Sequence, residues 1–262
     1  GDEAGEGAEL VVLTDNGSSR VASTVALRKL SAKLEERIGV PVLAASLKHS
    51  DRASVEELGG GAALLLSQAL VTEEAALARS VTVLPLFLGP SRQVTGGVPS
   101  AVSEARDIMG TECKVSKHVG AGDDGVRALA GMLSNEIEAL VKSEGLEEAD
   151  VIVVDHGSPS VQVTEVRDLV ADAVRGDVAE RGLAVRSVRA ASMERGEGAK
   201  YDHTEPMLAS CLPEVAKEGT GNVVLALLFI GPGTHAGEGG DIDTICAEGL
   251  KGVGGGARVF RT

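Results

Sequence analysis

Residues 151–159 read VIVVDHGSP, and residues 11–19 read VVLTDNGSS. In both, a short aliphatic and β-branched run, which reads as a strand, ends in Asp, a polar residue, Gly and Ser. The match is not isolated. LPLFLGPSRQ at 84–93 lines up with LALLFIGPGTH at 225–235, and AASL at 44–47 with AASM at 190–193, in the same order. His156 falls 140 residues after Asn16 and His235 falls 142 after Gln93, so the copies stay in register to within two residues. The chain is an internal duplication.

Outward from those anchors, strand-length runs alternate with amphipathic, helix-length segments. The first copy reads as strand 10–14, helix 21–38, strand 41–47, helix 62–78, strand 81–88, helix 98–109, strand 113–119 and helix 124–142. After the polar connector 143–150, the second reads as strand 151–154, helix 163–181, strand 183–192, helix 206–217, strand 223–230, helix 241–250 and strand 258–260. The run 81–88 is nearly all apolar, as in a strand covered on both faces. The fold class is therefore α/β, as two tandem flavodoxin-like units, each a four-stranded parallel sheet flanked by helices. The expected domains are 1–143, with an acidic tail at 1–9, and 144–262. Counted this way, the second copy is one sheet-covering helix short.

The 262 residues carry 39 acids against 25 bases, a formal charge of −14, which argues against binding along a nucleic-acid backbone. One Tyr, three Phe and no Trp leave little to stack bases on. Cys113, Cys211 and Cys246 show no C-x-x-C spacing, and an odd, scattered count suits a reducing compartment. No apolar run reaches about 18 residues, the length of a membrane span.

In open α/β sheets, ligands bind beyond the carboxyl ends of the strands. Both repeated loops fall there, so His156 and His235 are expected to face one cleft, with Glu194 just after the AASM strand. The first copy is an internal control: Asn16, Gln93 and Lys48 stand where His156, His235 and Glu194 stand in the second. Asn and Gln keep polarity but cannot act as bases near neutral pH. One half is active and the other degenerate.

The ordered, duplicated set resembles the class II tetrapyrrole chelatases, specifically the sirohydrochlorin chelatases of the CbiX/SirB type in a long, two-repeat form. The similarity spans essentially the whole chain. It rests on His156-Gly157-Ser158 after the first strand and Pro232-Gly233-Thr234-His235 after the third, with residues 190–208, 235–242 and DNGS of the first copy. The resemblance implies a lyase that inserts Co²⁺ or Fe²⁺ into sirohydrochlorin, in cobalamin or siroheme biosynthesis, without ATP or flavin. The metal is a substrate. It implies metal-side roles for His156 and His235, with Glu194 as the carboxylate and Glu205 its competitor.

The chemistry suits these residue types. Metal insertion removes two pyrrole protons and strips water from the ion. A neutral imidazole both binds first-row divalent ions and accepts a proton. Two His and a carboxylate, with open positions, hold an ion less tightly than a closed Cys₄ cage and so can release it. A polycarboxylate ring needs local cations: Arg20 and Arg92 flank the degenerate site, and Arg195 and Lys200 the active one. Ser158, Gly157 and Gly233 complete the expected substrate contacts, although the serines also suit helix capping and the glycines tight turns. His203 reads as a surface residue of a loop, and His49 and His118 as structural or exposed. The partners expected are the tetrapyrrole and a divalent metal, with no nucleic acid and no membrane. The expected location is the cytoplasm, or the stroma of a plastid in a photosynthetic eukaryote. Two fused copies suit a monomer with pseudo-dimeric halves. A non-catalytic metal or tetrapyrrole carrier on the same scaffold is the alternative. A flavodoxin-like phosphate or FMN protein is a further one, disfavoured by the shortage of aromatics.

Overall fold

A computed structural model describes residues 8–110, 112–231, 237, 239–253 and 256–262. Packing divides the chain into two compact units, residues 1–119 and 120–262.

In the first unit the elements are β1 (Glu9–Asp15), α1 (Val21–Ile38), β2 (Val42–Ser46), β3 (Leu64–Leu65), α2 (Leu66–Ala69), α3 (Glu73–Leu77), β4 (Ser80–Pro85), α4 (Val98–Met109) and β5 (Cys113–Val115). All pairings are parallel, in the order β3-β2-β1-β4-β5. The second unit holds α5 (Gly122–Ser143), β6 (Ala149–Asp155), α6 (Val161–Glu180), β7 (Val185–Ser192), α7 (Leu208–Glu218), β8 (Asn222–Leu227), α8 (Asp241–Gly249) and β9 (Arg258–Arg261). Its parallel order is β7-β6-β8-β9. The duplicated α/β architecture is as expected, with one addition: the first sheet gains the two-residue β3.

Register shows the duplication more sharply than letters do. Asp15 pairs with Ser46 and Asp155 with Ser192; Thr14 pairs with Pro85 and Val154 with Leu227. In both sheets the strand order reverses beside the first strand, and that is the point where loops part to leave a crevice.

Between β3 and β4 the expected helix 62–78 is broken. Gln68 reaches back, its Oε1 accepting from the Leu65 N–H at 2.8 Å, and the chain stops being helical after Ala69. Thr72 starts a new turn, its Oγ1 accepting from the Ala75 N–H, with Glu73 and Glu74 in the first turn. Thr followed by two acids is an N-cap signature that cuts a periodic stretch in two. The expected strand 113–119 likewise ends at Val115.

Cores form because the strand runs are apolar on both sides. In the second unit Ile152, Val154, Leu225, Leu208, Leu212 and Ile242 build one layer. Val151, Val153, Val224 and Ala226 are fully buried as well. The long helix α5 packs against α6 and β8. It buries Val126, Leu129, Leu133, Ile137 and Val141. The helix counted with the first copy thus supplies the cover that the second copy lacked. The repeat boundary expected at 143/144 follows the sequence copies; the packing boundary precedes α5. The consequence shows on matched helices. Val170, Val174 and Val178 of α6 are buried. Their counterparts on α1 are Leu30, 42% exposed, half-buried Leu34 and Ile38, 44% exposed. Among the described residues, no helix is long and apolar enough to cross a membrane.

Candidate active site

β6 and β7 end side by side, and their ladder continues past the last strand residues. The Met193 N–H donates to the Asp155 carbonyl at 2.7 Å and the Glu194 N–H to the His156 carbonyl at 3.2 Å. His156 and Glu194 are therefore held on adjacent, hydrogen-bonded backbones. Gly157 makes this crossing possible: its φ is +93°, and a Cβ there would overlap the Glu194 carbonyl oxygen. Gly17 does the same under the Lys48 carbonyl, with φ +83°.

The side chains meet above the crossing. His156 Nε2 lies 3.3 Å from Glu194 Oε1, with both side chains about half exposed. His156 Nδ1 is 3.1 Å from the Gly157 carbonyl oxygen. In the tautomer that donates Nδ1–H to that carbonyl, the Nε2 lone pair faces the carboxylate. Two electron-rich atoms so placed suit a shared proton or a cation between them. Two ligand atoms bonded at about 2.1 Å to one tetrahedral ion stand about 3.4 Å apart, close to the observed spacing.

Below lies a polar cluster that the sequence reading did not single out. Asp155 and Ser192 are buried, the Ser192 hydroxyl donating to Asp155 Oδ1 at 2.6 Å. Burial pushes the Asp155 carboxyl above its usual value, opposed by the Ser192 hydroxyl, Arg167, the Gly157 N–H and His156. Asp15 and Ser46 repeat the pair at 2.6 Å, and Asp15 is likewise raised by burial. The signal was present in the sequence: the Asp of TDNGS is kept in VDHGS, and the Ser of AAS is kept in both copies.

The remaining expected residues separate. Glu205 turns to its own chain, its Oε2 accepting from the Met207 N–H at 3.0 Å; the carboxylate beside His156 is that of Glu194. Ser158 Oγ accepts from the Ser160 N–H at 3.2 Å, and Ser18 Oγ from the Arg20 N–H at 3.1 Å, the turn-closing role. Arg195 pairs with Asp202, and Lys200 lies 5.4 Å over the Tyr201 ring. His203 is half-buried, its Nε2 buried without a hydrogen-bond partner among the described residues. Burial lowers the His118 imidazole, which lies in the first unit with its Nδ1 likewise without a hydrogen-bond partner among the described residues. Arg20 and Arg92 are exposed. Lys48 and Gln93 line a pocket of about 230 Å³ with Ser67, Ser100 and Glu104 at the carboxyl end of the first sheet. A groove of about 770 Å³ runs along α1 and β2 past Arg28 and Glu35 and contains none of the expected site residues.

His235 and Gly233 lie outside the described residues. Their loop follows β8, and β8 is hydrogen-bonded to β6, whose end carries His156. Among the described residues, no group of three or more His, Cys, Asp or Glu is arranged to hold a metal ion.

No protein-family model matches the chain, and no curated protein matches it. Solved structures do. SirB from Bacillus subtilis with Fe³⁺ aligns over 97% of this chain and 87% of its own, at 16% identity and a TM-score of 0.64. The sirohydrochlorin chelatase SirB from Bacillus subtilis subspecies spizizenii in complex with cobalt aligns over 97% and 86%, at 15% identity and a TM-score of 0.58. DR2241 from Deinococcus radiodurans, a multi-domain protein described as structurally similar to chelatases, aligns over 97% of this chain at 18% identity and a TM-score of 0.64. This chain spans half of that protein's length. The α/β fold of this chain, two parallel sheets flanked by helices, is the chelatase fold that its paired motifs led us to expect.

Proposed function

We propose that the chain is a sirohydrochlorin chelatase that inserts Co²⁺ or Fe²⁺ into the tetrapyrrole without ATP, in siroheme or cobalamin biosynthesis. The degenerate copy is 1–143 and the active copy 144–262. The observation that carries the reading is the 3.3 Å approach of His156 Nε2 to Glu194 Oε1 at the carboxyl end of β6, where the first copy has Asn16 and Lys48.

In this reading His156, with His235 from the loop after β8, receives the metal. The half-exposed position of His156 and Glu194 lets the ion enter and leave. Glu194 balances its charge and accepts one pyrrole proton, and the imidazole of His156, released as the ion passes to the ring, accepts the other. Ser158, Gly157, Gly233, Arg20 and Arg92 contribute to holding the ring. With three scattered cysteines, the protein works in a reducing compartment, the cytoplasm or a plastid stroma.

The test is turnover. Sirohydrochlorin and Co²⁺ or Fe²⁺ are mixed anaerobically with the protein, and the absorbance change is followed against the spontaneous reaction. The expected result is a rate above background that His156→Ala abolishes and Glu194→Gln lowers about 10²-fold. A rate equal to background, or one equal in wild type and His156→Ala, overturns the proposal. Tight Co²⁺ binding without turnover would leave the carrier reading.

A further inference from the structure

We propose that Arg167 is the positioning residue of the His156–Glu194 site, tying the ends of β6 and β7 and the 199–204 turn into one rigid support. The proposal deepens the reading above and rests on it for the identity of the site.

Arg167 lies on α6 and is 2% exposed, an unusual place for a guanidinium. Its Nη1 donates to Ser192 Oγ at 2.7 Å and to the Thr204 carbonyl at 2.9 Å, and Nη2 lies 3.5 Å from the Glu205 carbonyl. Its Nε donates to Asp168 at 2.8 Å. Ser192 passes the contact on, accepting from Arg167 while donating to Asp155 Oδ1, and Arg167 Nη1 itself is 3.9 Å from that oxygen. One planar cation thus reaches the residue before His156, the residue two before Glu194, and the turn that closes the loop after Glu194. Only a fork of donors does this. A buried guanidinium held by several partners is a costly device that a purely apolar core would not need.

The first copy shows that the scaffold does not require it. The residue aligned with Arg167 is Leu27, packed with Leu13 and Val42. There the Asp15–Ser46 hydrogen bond forms at the same 2.6 Å, and among the described residues no cation pairs with either side chain. The arginine appears only in the copy that also carries His156 and Glu194. Its place is to hold the metal side of that copy in one arrangement, as groups behind metal-binding side chains commonly do.

The test replaces Arg167 by the first copy's residue and by a cation without the fork. Arg167→Leu and Arg167→Lys are compared with wild type by thermal unfolding, by Co²⁺ binding to the protein alone in calorimetric titration, and by initial rates with Co²⁺ and sirohydrochlorin varied separately. The expected result is Co²⁺ affinity weakened about 10–100-fold in Arg167→Leu and less in Arg167→Lys. The KM for metal rises in parallel and the KM for the tetrapyrrole is unchanged. A folded variant with wild-type Co²⁺ affinity and metal KM overturns the proposal. If Arg167→Leu does not fold, Arg167→Lys decides by the same readings. Wild type that binds Co²⁺ through His156 without turnover refutes the chelatase reading yet leaves this one to the binding titration. Wild type that binds no Co²⁺ overturns both.

Discussion

Replacing Gly157 by Ala should separate site geometry from fold stability, because Gly17 offers the same change in the copy that has Asn16 and Lys48 in place of His156 and Glu194. At Gly157, φ is +93°, and a side chain forced there costs about 1–3 kcal/mol. The added Cβ also overlaps the Glu194 carbonyl oxygen, so the two backbones must part. The bond that yields first is the one from the Glu194 N–H to the His156 carbonyl, already long at 3.2 Å and worth about 1 kcal/mol. The expected loss of stability is therefore about 2–4 kcal/mol. Parting these strands also moves Glu194 away from His156. A misplacement of about 1 Å at reacting groups costs about 10²-fold in kcat/KM. Gly17→Ala meets the same strain and the same overlap, now with the Lys48 carbonyl. It should lose similar stability but keep kcat/KM within about a factor of three, since it leaves the His156–Glu194 approach in place. Urea unfolding and the chelation assay, run where both variants are folded, measure the two effects. Equal loss of activity in both variants, or full activity in Gly157→Ala, would refute the reasoning.

The unequal burial of the two matched helices predicts that Val170→Asp, which puts a carboxylate at a fully buried position of α6, costs about 3 kcal/mol or more, whereas Leu30→Asp changes stability by about 0.5 kcal/mol or less; chemical denaturation of each variant checks this. Burial raises the Asp15 carboxyl in the folded state, so the folded protein holds that proton more tightly than the unfolded chain. Its contribution to stability is then full below the usual carboxylate value and is lost as pH rises through the raised one. Asp15→Asn, which can still accept from Ser46, removes that loss, so its stability relative to wild type should grow in urea unfolding as pH rises above the usual carboxylate value of 3.8.

Much of the architecture was legible in the letters because duplication multiplies weak signals. A single LFLGP is ambiguous; LFLGP and LFIGP at one offset, with DNGS and DHGS at nearly the same offset, are not. Helix α1 began and ended where its apolar period did, at Val21 and Ile38. The segment 62–78 misled because its apolar residues keep a helical period across Thr72, and only the capping hydrogen bond reveals the restart. The site was half legible. His156 and Glu194 stood out because the first copy replaces them. Their mutual distance did not, since Glu194 and Glu205, eleven residues on, both follow the same strand and spacing alone does not say which carboxylate turns to the imidazole. Arg167 was hidden in a helical pattern, where an arginine reads as a solvated face.

By itself the sequence determined what repeats: the strand runs, their order, the loops at the carboxyl ends, and which copy kept imidazoles. These follow from local chemistry, since apolar alternation and turn residues act within a few positions. Only the tertiary structure decided which helix covers which sheet, because the apolar stripe of α5 would suit either. It alone decided that Glu194 meets His156, because that approach depends on a register in which Met193 bonds Asp155 and Gly157 yields space. It alone placed Arg167 beneath them, because burial of a charge depends on partners 25 and 37 residues distant that no local pattern announces.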